Sequence, residues 1–356
     1  MQMNKTLVAV LAGHDSVQKN NELARTIEDL YRKDEKLLGQ FHFLVTGGTF
    51  SRLMLGKDTQ IPSRINDTVK HDPEKITPLE ESTCNFIRST CGVTVLPGRK
   101  ENGVIILANL IVQHQCGIVW PFFSPITSHW LNPENQALLR LSDLWNVKRL
   151  MNGGSVKDWF CHEAARDVRR NLQQLPLKIA LGSPEKDQAW PHAERTHNSD
   201  YFAVALPKRS RLQERFWTQF SEESIALIAH DEMKQRMIDF AVEYEDELRQ
   251  FRRILATGGT GQEVENACRR LREEKKIRRY LSGPKGGDIQ IATEILFNRC
   301  NIVIFFIDPL HPHPHIDDIR AVVGACMAEI QHNNVRILTN EVHAREWMEE
   351  TVRRCR

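Results

Sequence analysis

The chain has 356 residues, 41% of them apolar and 26% charged, and a formal net charge of +2. That length exceeds what a single hydrophobic core usually fills, so two or three domains are expected. The near-zero charge excludes a globally basic nucleic-acid binder, and no apolar run approaches the roughly 20 residues of a membrane span.

Met1-Gln2-Met3-Asn4-Lys5 leads directly into a strand-like run, so no secretory leader is expected and the protein is read as cytoplasmic. The eight cysteines, Cys84, Cys91, Cys116, Cys161, Cys268, Cys300, Cys326 and Cys355, form no CxxC pair. In a chain this long they read as reduced core thiols rather than a disulfide or zinc framework.

Thr6 to Ala12 is short, apolar and partly β-branched, the pattern of a buried strand, and ends in Gly13-His14-Asp15. A helix to about Leu38 precedes a second strand, Phe41 to Val45, which stops at Thr46-Gly47-Gly48-Thr49. Residues 57–90 are polar and proline-bearing and read as a surface insertion with one short helix. A third strand, Val93 to Leu96, leads to Pro97-Gly98-Arg99-Lys100, and helices from Val104 to His114 and Asn132 to Trp145 flank the run Gly117 to Pro125. Val147 to Met151 is the last strand of this half, closed by Asn152-Gly153-Gly154. Residues 161–220 read as a linker or extension, with one helix from His162 to Leu175.

The pattern then restarts. Ser224 to Ala229 is a strand ending in His230-Asp231, and a helix follows over Met233 to Leu248. Arg253 to Ala256 ends in Thr257-Gly258-Gly259-Thr260-Gly261, and a helix carries Arg269 to Arg279 as a solvated face. Leu281-Ser282-Gly283-Pro284-Lys285-Gly286-Gly287-Asp288 opens another helix. Asn301 to Ile307 ends in Asp308-Pro309, and helices near Ile316 to Gln331 and Val342 to Arg354 flank a strand at Val335 to Leu338.

The two halves read as an internal duplication. His14-Asp15 answers His230-Asp231, Thr46 to Thr49 answers Thr257 to Thr260, Pro97 to Lys100 answers Ser282 to Lys285, and Phe123-Ser124-Pro125 answers Ile307-Asp308-Pro309. Alternating strands and helices predict α/β units with mainly parallel sheets covered on both faces. Ligands of such sheets sit at the carboxyl ends of the strands, where the polar clusters fall. The expected domains are therefore residues 1–160, an extension over 161–220, and residues 221–356.

In the second half, glycine amides, the hydroxyls of Thr257, Thr260 and Ser282, and the Lys234 ammonium suit a phosphate. Asp231, Asp288, Asp308, Asp318, His230 and His315 suit proton transfer. Asp288 is either a general base or only the cap of the helix it opens. His311, His313 and His315 alternate with prolines and lack a matching ligand spacing for a metal, so they read as an extended loop bearing one functional histidine. A phosphate cradle beside a base points to proton abstraction from a small phosphorylated carbonyl compound.

From about Ile225 to Trp347 the chain resembles methylglyoxal synthase. The motifs are Ala229-His230-Asp231 with Lys234, Ala256 to Gly261, Leu281 to Asp288, Phe306 to Leu310, and Pro314-His315 with Asp318. The resemblance implies two tandem Rossmann-like three-layer units, the first degenerate. It implies conversion of dihydroxyacetone phosphate to methylglyoxal and phosphate, without metal or organic cofactor, in a homo-oligomer that needs neither nucleic acid nor membrane. By the same resemblance Asp288 is the base and His315 relays protons. Lys234, Thr257, Gly258, Gly259, Thr260, Ser282 and Gly283 hold the phosphate, His230 contacts substrate, and Asp231, Asp308 and Asp318 line the site. Crowding among these carboxylates is expected to raise their pKa values.

Three departures stand out. Gly259 replaces a threonine, Arg269 to Arg279 lengthens one connection, and the family's longer tail with its phosphate-binding arginine has no counterpart before Arg356. In the first half, Gly103 is read at the place of Asp288, Ser124 at Asp308, Leu131 at His315 and Gln18 at Lys234. The competing reading is a non-enzymatic sensor that binds a small phosphorylated or nucleotide ligand. A nucleotide hydrolase or deaminase is a weaker third, since no zinc pattern supports it.

Overall fold

Short apolar runs flanked by amphipathic helices can bury themselves only by stacking in layers. The computed structural model describes residues 5–12, 17–54, 77–98, 102–124, 132–171, 193–195, 202–204, 220–308, 310–327 and 335–352. It divides into two compact units, Met1–Leu206 and Pro207–Arg356.

In the first unit the strands are β1 Thr6–Ala12, β2 Phe41–Thr46, β3 Val93–Leu96, β4 Ile118–Phe122, β5 Lys148–Arg149, β6 Ala193–Arg195 and β7 Phe202–Val204. They form one sheet in the order β5-β4-β1-β2-β3-β7-β6, parallel throughout except for the β6/β7 pair. Helix α1, Val17–Lys33, buries Leu23, Ala24, Ile27 and Leu30 at helical spacing. Helix α2, Gly47–Met54, starts directly at the end of β2. Helices α3, Gly103–Val112, and α4, Pro133–Leu144, pack on each other. Asn152-Gly153-Gly154 opens α5, Gly153–His162, through a capping box in which Asn152 accepts from the Ser155 amide at 2.8 Å. The stretch expected to be a linker adds β6 and β7 to the sheet edge, because Phe202-Ala203-Val204 is apolar enough to pair beside β3. Of the expected insertion, residues 57–76 lie outside the described residues; Glu81–Phe86 is helical.

In the second unit β8 Ser224–Ala229, β9 Arg253–Ala256, β10 Ile277–Arg279, β11 Ile302–Phe306 and β12 Arg336–Leu338 form an all-parallel sheet in the order β10-β9-β8-β11-β12. Ile225, Leu227, Ile254, Ile302, Ile304 and Phe306 meet Met237, Phe240 and Trp347 on one face. The alternate residues Ala226, Ile228, Val303 and Phe305 are equally buried, as strands covered on both sides require. The helices are α6 Lys234–Glu243, α7 Gly258–Ala267, α8 Gly287–Leu296, α9 Ile316–Met327 and α10 Glu341–Trp347. The single helix expected over Arg269 to Arg279 is instead one turn, Arg269–Glu273, followed by edge strand β10. Lys275, at φ 52°, ends the turn. Arg269 pairs with Glu273, Arg270 with Glu245 and Asp246, and Arg279 with Glu265, while Glu274 pairs with Arg249, so acidic partners offset part of the positive charge of this face.

Local geometry recurs between the units and corrects one alignment. Gly103 is the first residue of α3, and a Cβ there would lie 2.0 Å from the Pro97 carbonyl oxygen. Gly287 is the first residue of α8, and its Cβ would lie 1.9 Å from the Leu281 oxygen. The preceding residues, Asn102 and Gly286, are both left-handed, at φ 54° and 102°. Cys116 and Cys300 each donate to a carbonyl two residues on, at 3.3 Å in both. Gly103 therefore answers Gly287, and the residue at the place of Asp288 is Val104, which is 6% exposed. Pro97-Gly98 answers Leu281-Ser282 by the same register. Thr46 and Thr49, whose hydroxyls lie 3.1 Å apart, mirror Thr257 and Thr260 at 3.3 Å. His14, Asp15, Arg99, Lys100 and Leu131 lie outside the described residues.

Candidate active site

The carboxyl ends of β8, β9 and β11, with the loop before α8, surround a cavity of about 330 Å³. Its walls include His230, Asp231, Lys234, Thr257, Gly259, Thr260, Ser282, Gly283, Asp288, Asp308 and His315. Two expected site residues stand behind the wall. Gly258 packs against the backbone of Tyr280 and Ser282, and Asp318 is fully buried on α9, one turn after His315.

One side of the cavity suits an anion. Helix α7 starts at this wall with Thr257 as its uncapped N-cap; the Gly258 amide is taken by the Leu281 carbonyl at 2.9 Å, and the helix end lends its positive field to the side lined by Thr257, Gly259 and Thr260. Lys234, the first residue of α6, brings its ammonium 2.7 Å from Asp231 and 4.0 Å from Glu263. A Cβ at position 259 would stand 3.0 Å from that ammonium, so the glycine at this departure from the family pattern leaves room for the lysine.

Asp288 lines the same cavity beside Gly283 and His315. It is the second residue of α8 and 1% exposed; the cap position belongs to Gly286, so the capping reading of Asp288 is overturned. Its place in the first turn sets the carboxylate in the positive field of the helix end. Oδ2 lies 3.6 Å from Nε2 of His315. Gly283 closes this wall, since a Cβ there would meet Asp288 Oδ2 at 2.9 Å and His315 Nε2 at 3.1 Å.

The Asp308 backbone and side chain organise another part of the wall. Its N–H donates to His230 Nδ1 at 2.8 Å, and its carboxylate accepts from the Leu310 amide at 2.9 Å and faces His311 Nδ1 at 2.6 Å. These contacts, the Leu310 amide first, hold the Asp308 carboxyl below its usual range. The hydrogen bond from Lys234 does the same for Asp231. The expectation that crowding raises these two pKa values is therefore reversed: amides and cations stand nearer to each carboxylate than the other carboxylates do. His230 is pushed down to about 4, first by burial and then by the neighbouring His313. A neutral His230 that accepts at Nδ1 carries its proton on Nε2, an atom that is buried and has no hydrogen-bond partner among the described residues.

His311 and His313 were expected to be loop residues, yet both join the cavity wall with His315. The His313 ring stacks on His230 with centroids 3.6 Å apart, and its Nε2 lies 3.1 Å from the Asp308 carbonyl oxygen. Their spacing in a proline-rich run was the available signal, but only the turn after β11 folds them inward. Arg353, Arg354 and Arg356 lie outside the described residues.

In the first unit the paired threonines remain, and Arg52 of α2 stands over Gly48, with Nη2 2.9 Å from where a Cβ would be. The same guanidinium bonds Asn20 at 3.3 Å. Val104 offers no base there.

No family model matches the chain. It is 40% identical over 116 residues to methylglyoxal synthase of Clostridium beijerinckii, an alignment that covers 33% of this chain and 89% of that protein. It is 47% identical over 103 residues to methylglyoxal synthase of Thermoanaerobacterium thermosaccharolyticum, covering 29% and 72%. With the Burkholderia cenocepacia enzyme of the same name it shares 40% over 133 residues, covering 37% and 95%. A crystal structure of methylglyoxal synthase from Elizabethkingia anophelis is similar over 37% of this chain and 79% of its own, at 27% identity and a TM-score of 0.31.

Proposed function

The chain belongs to the methylglyoxal synthase family, and we propose that its second unit converts dihydroxyacetone phosphate to methylglyoxal and inorganic phosphate. The observation that carries this reading is the placement of Asp288, buried and facing His315, in one small cavity with an anion cradle.

In this mechanism the phosphate lies against the α7 amides, Thr257, Thr260 and Ser282, with Lys234 leaving Asp231 to neutralise it. Asp288 takes a proton from the hydroxymethyl carbon. The electron pair moves into an enediol whose oxygens lie toward His315 and the His230 Nε2–H. The enediol electrons then expel phosphate by breaking the carbon–oxygen bond at the far carbon, and the resulting enol takes a proton at its terminal carbon to give methylglyoxal. Fixed donors around the developing oxyanion supply the electrostatic part of the acceleration.

Asp288→Asn keeps the shape and removes the base. Phosphate release from dihydroxyacetone phosphate should fall by roughly 10²–10⁴-fold, with the melting temperature little changed. A wild-type protein that releases no phosphate where a working synthase does would overturn the reading. For the first unit we propose binding without catalysis, because Val104 stands where a base would have to be.

A further inference from the structure

Asp308 uses both halves of its peptide environment on histidines. Its N–H donates to His230 Nδ1, and its carbonyl accepts from His313 Nε2. The two rings thus hang from one residue and stack, 3.6 Å between centroids and tilted by 38°. Phe305 closes the other side of His230 edge-on, with centroids 5.2 Å apart. The result is an imidazole that is 5% exposed and whose Nε2 has no hydrogen-bond partner among the described residues. We propose that His313 is a positioning residue for the elimination: its stacked ring holds His230 as a neutral imidazole with the proton on Nε2, aimed at the substrate oxygens. This rests on the lyase reading and assigns a role to a side chain that the family motifs do not include.

The geometry leaves His230 little alternative. A proton on Nδ1 would point at the Asp308 N–H, donor against donor. A doubly protonated ring would face the same clash and would also stand against His313 and His315. The groups that face His230 are Asp231 on the following turn, Asp308 and His313 after β11, and His315 before α9, with Lys234 and Asp288 lining the same cavity. Of these, His313 is the ring in direct face contact. Burial and His313 together account for the lowering of the His230 pKa.

Three proteins test this: wild type, His313→Ala, and His313→Phe, which keeps a stacking ring but no charge and no hydrogen bond. Nitrogen-15 spectra of labelled protein report the tautomer of His230, and phosphate release reports kcat and KM against pH. The wild type should show the Nε2–H tautomer of His230 down to about pH 4. His313→Ala should mix the tautomers, move the acid limb of kcat/KM upward by about one pH unit and lower kcat about tenfold with KM less affected. His313→Phe should restore the tautomer and most of kcat. A folded His313→Ala that keeps both the tautomer and the acid limb overturns the positioning role while leaving the lyase reading intact. A wild type that releases no phosphate overturns the lyase reading, and this proposal with it. If His313→Ala does not fold, His313→Phe decides alone: loss of the Nε2–H tautomer despite a stacked ring overturns the proposal.

Discussion

Gly259 stands where Lys234 needs room. The ammonium sits 3.0 Å from the point a Cβ would occupy, bridging toward Asp231 and Glu263. An alanine at 259 therefore pushes the lysine by a few tenths of an ångström while offering no hydroxyl in return. It also replaces a glycine in the first turn of α7, which favours the helix by up to about 1 kcal/mol. Gly259→Ala should raise the melting temperature slightly and raise KM several-fold, with kcat within about twofold. Thermal melts and steady-state kinetics on the same preparation check both signs. An unchanged KM would mean that Lys234 is not set by this contact. The departure from the family's threonine then reads as an exchange, a hydroxyl given up and a closer ammonium gained.

The loop-to-helix elements show why some positions admit no side chain. Gly103 and Gly287 each open a helix against a carbonyl about 2 Å from their missing Cβ. Backbone cannot yield as a flexible side chain can, so Gly103→Ala or Gly287→Ala should cost roughly 3 kcal/mol or more, read as a lower urea midpoint. Gly324 in α9 is the contrast: nothing lies within 4 Å of its Cβ position, and Gly324→Ala should stabilise by about 0.5–1 kcal/mol. The same loops mark the limit of what the sequence discloses. The strand ends were legible, since short apolar runs broken by Thr-Gly-Gly-Thr or Asp-Pro have one reasonable reading. The register of Gly103 was not, because a glycine that avoids a carbonyl and one that replaces a lost carboxylate look alike until the left-handed Asn102 is seen. Edge strand β10 was hidden by Arg278 and Arg279, which an edge tolerates and a central strand would not. His313 was hidden because its partner is a backbone carbonyl.

Among the described residues, a hydrophobic cluster around Trp120 and Trp159 lies in the first unit and one around Phe240 and Trp347 in the second. Each unit also carries a histidine held neutral by burial. His42 on β2, bonded to Thr94 at 2.9 Å, and His230 are both pushed down to about 4. In the unfolded chain each returns to about 6.5 and takes up a proton more readily. Their stabilising contribution is thus complete above about pH 6.5 and is lost as the pH falls toward 4, by up to about 3 kcal/mol each. The second unit carries an opposing group. His311, raised by Asp308, stabilises below about pH 6.5 and loses that contribution as the pH rises. The first unit should therefore show the steeper acid dependence. Calorimetry between pH 7 and 4.5 should resolve two transitions that both move down on acidification, one faster than the other. His42→Gln, which can keep the bond to Thr94, should flatten the steeper one only, and His230→Gln the shallower one only. If both variants altered the same transition, the two units would melt as one cooperative unit and the assignment of one histidine to each transition would be wrong.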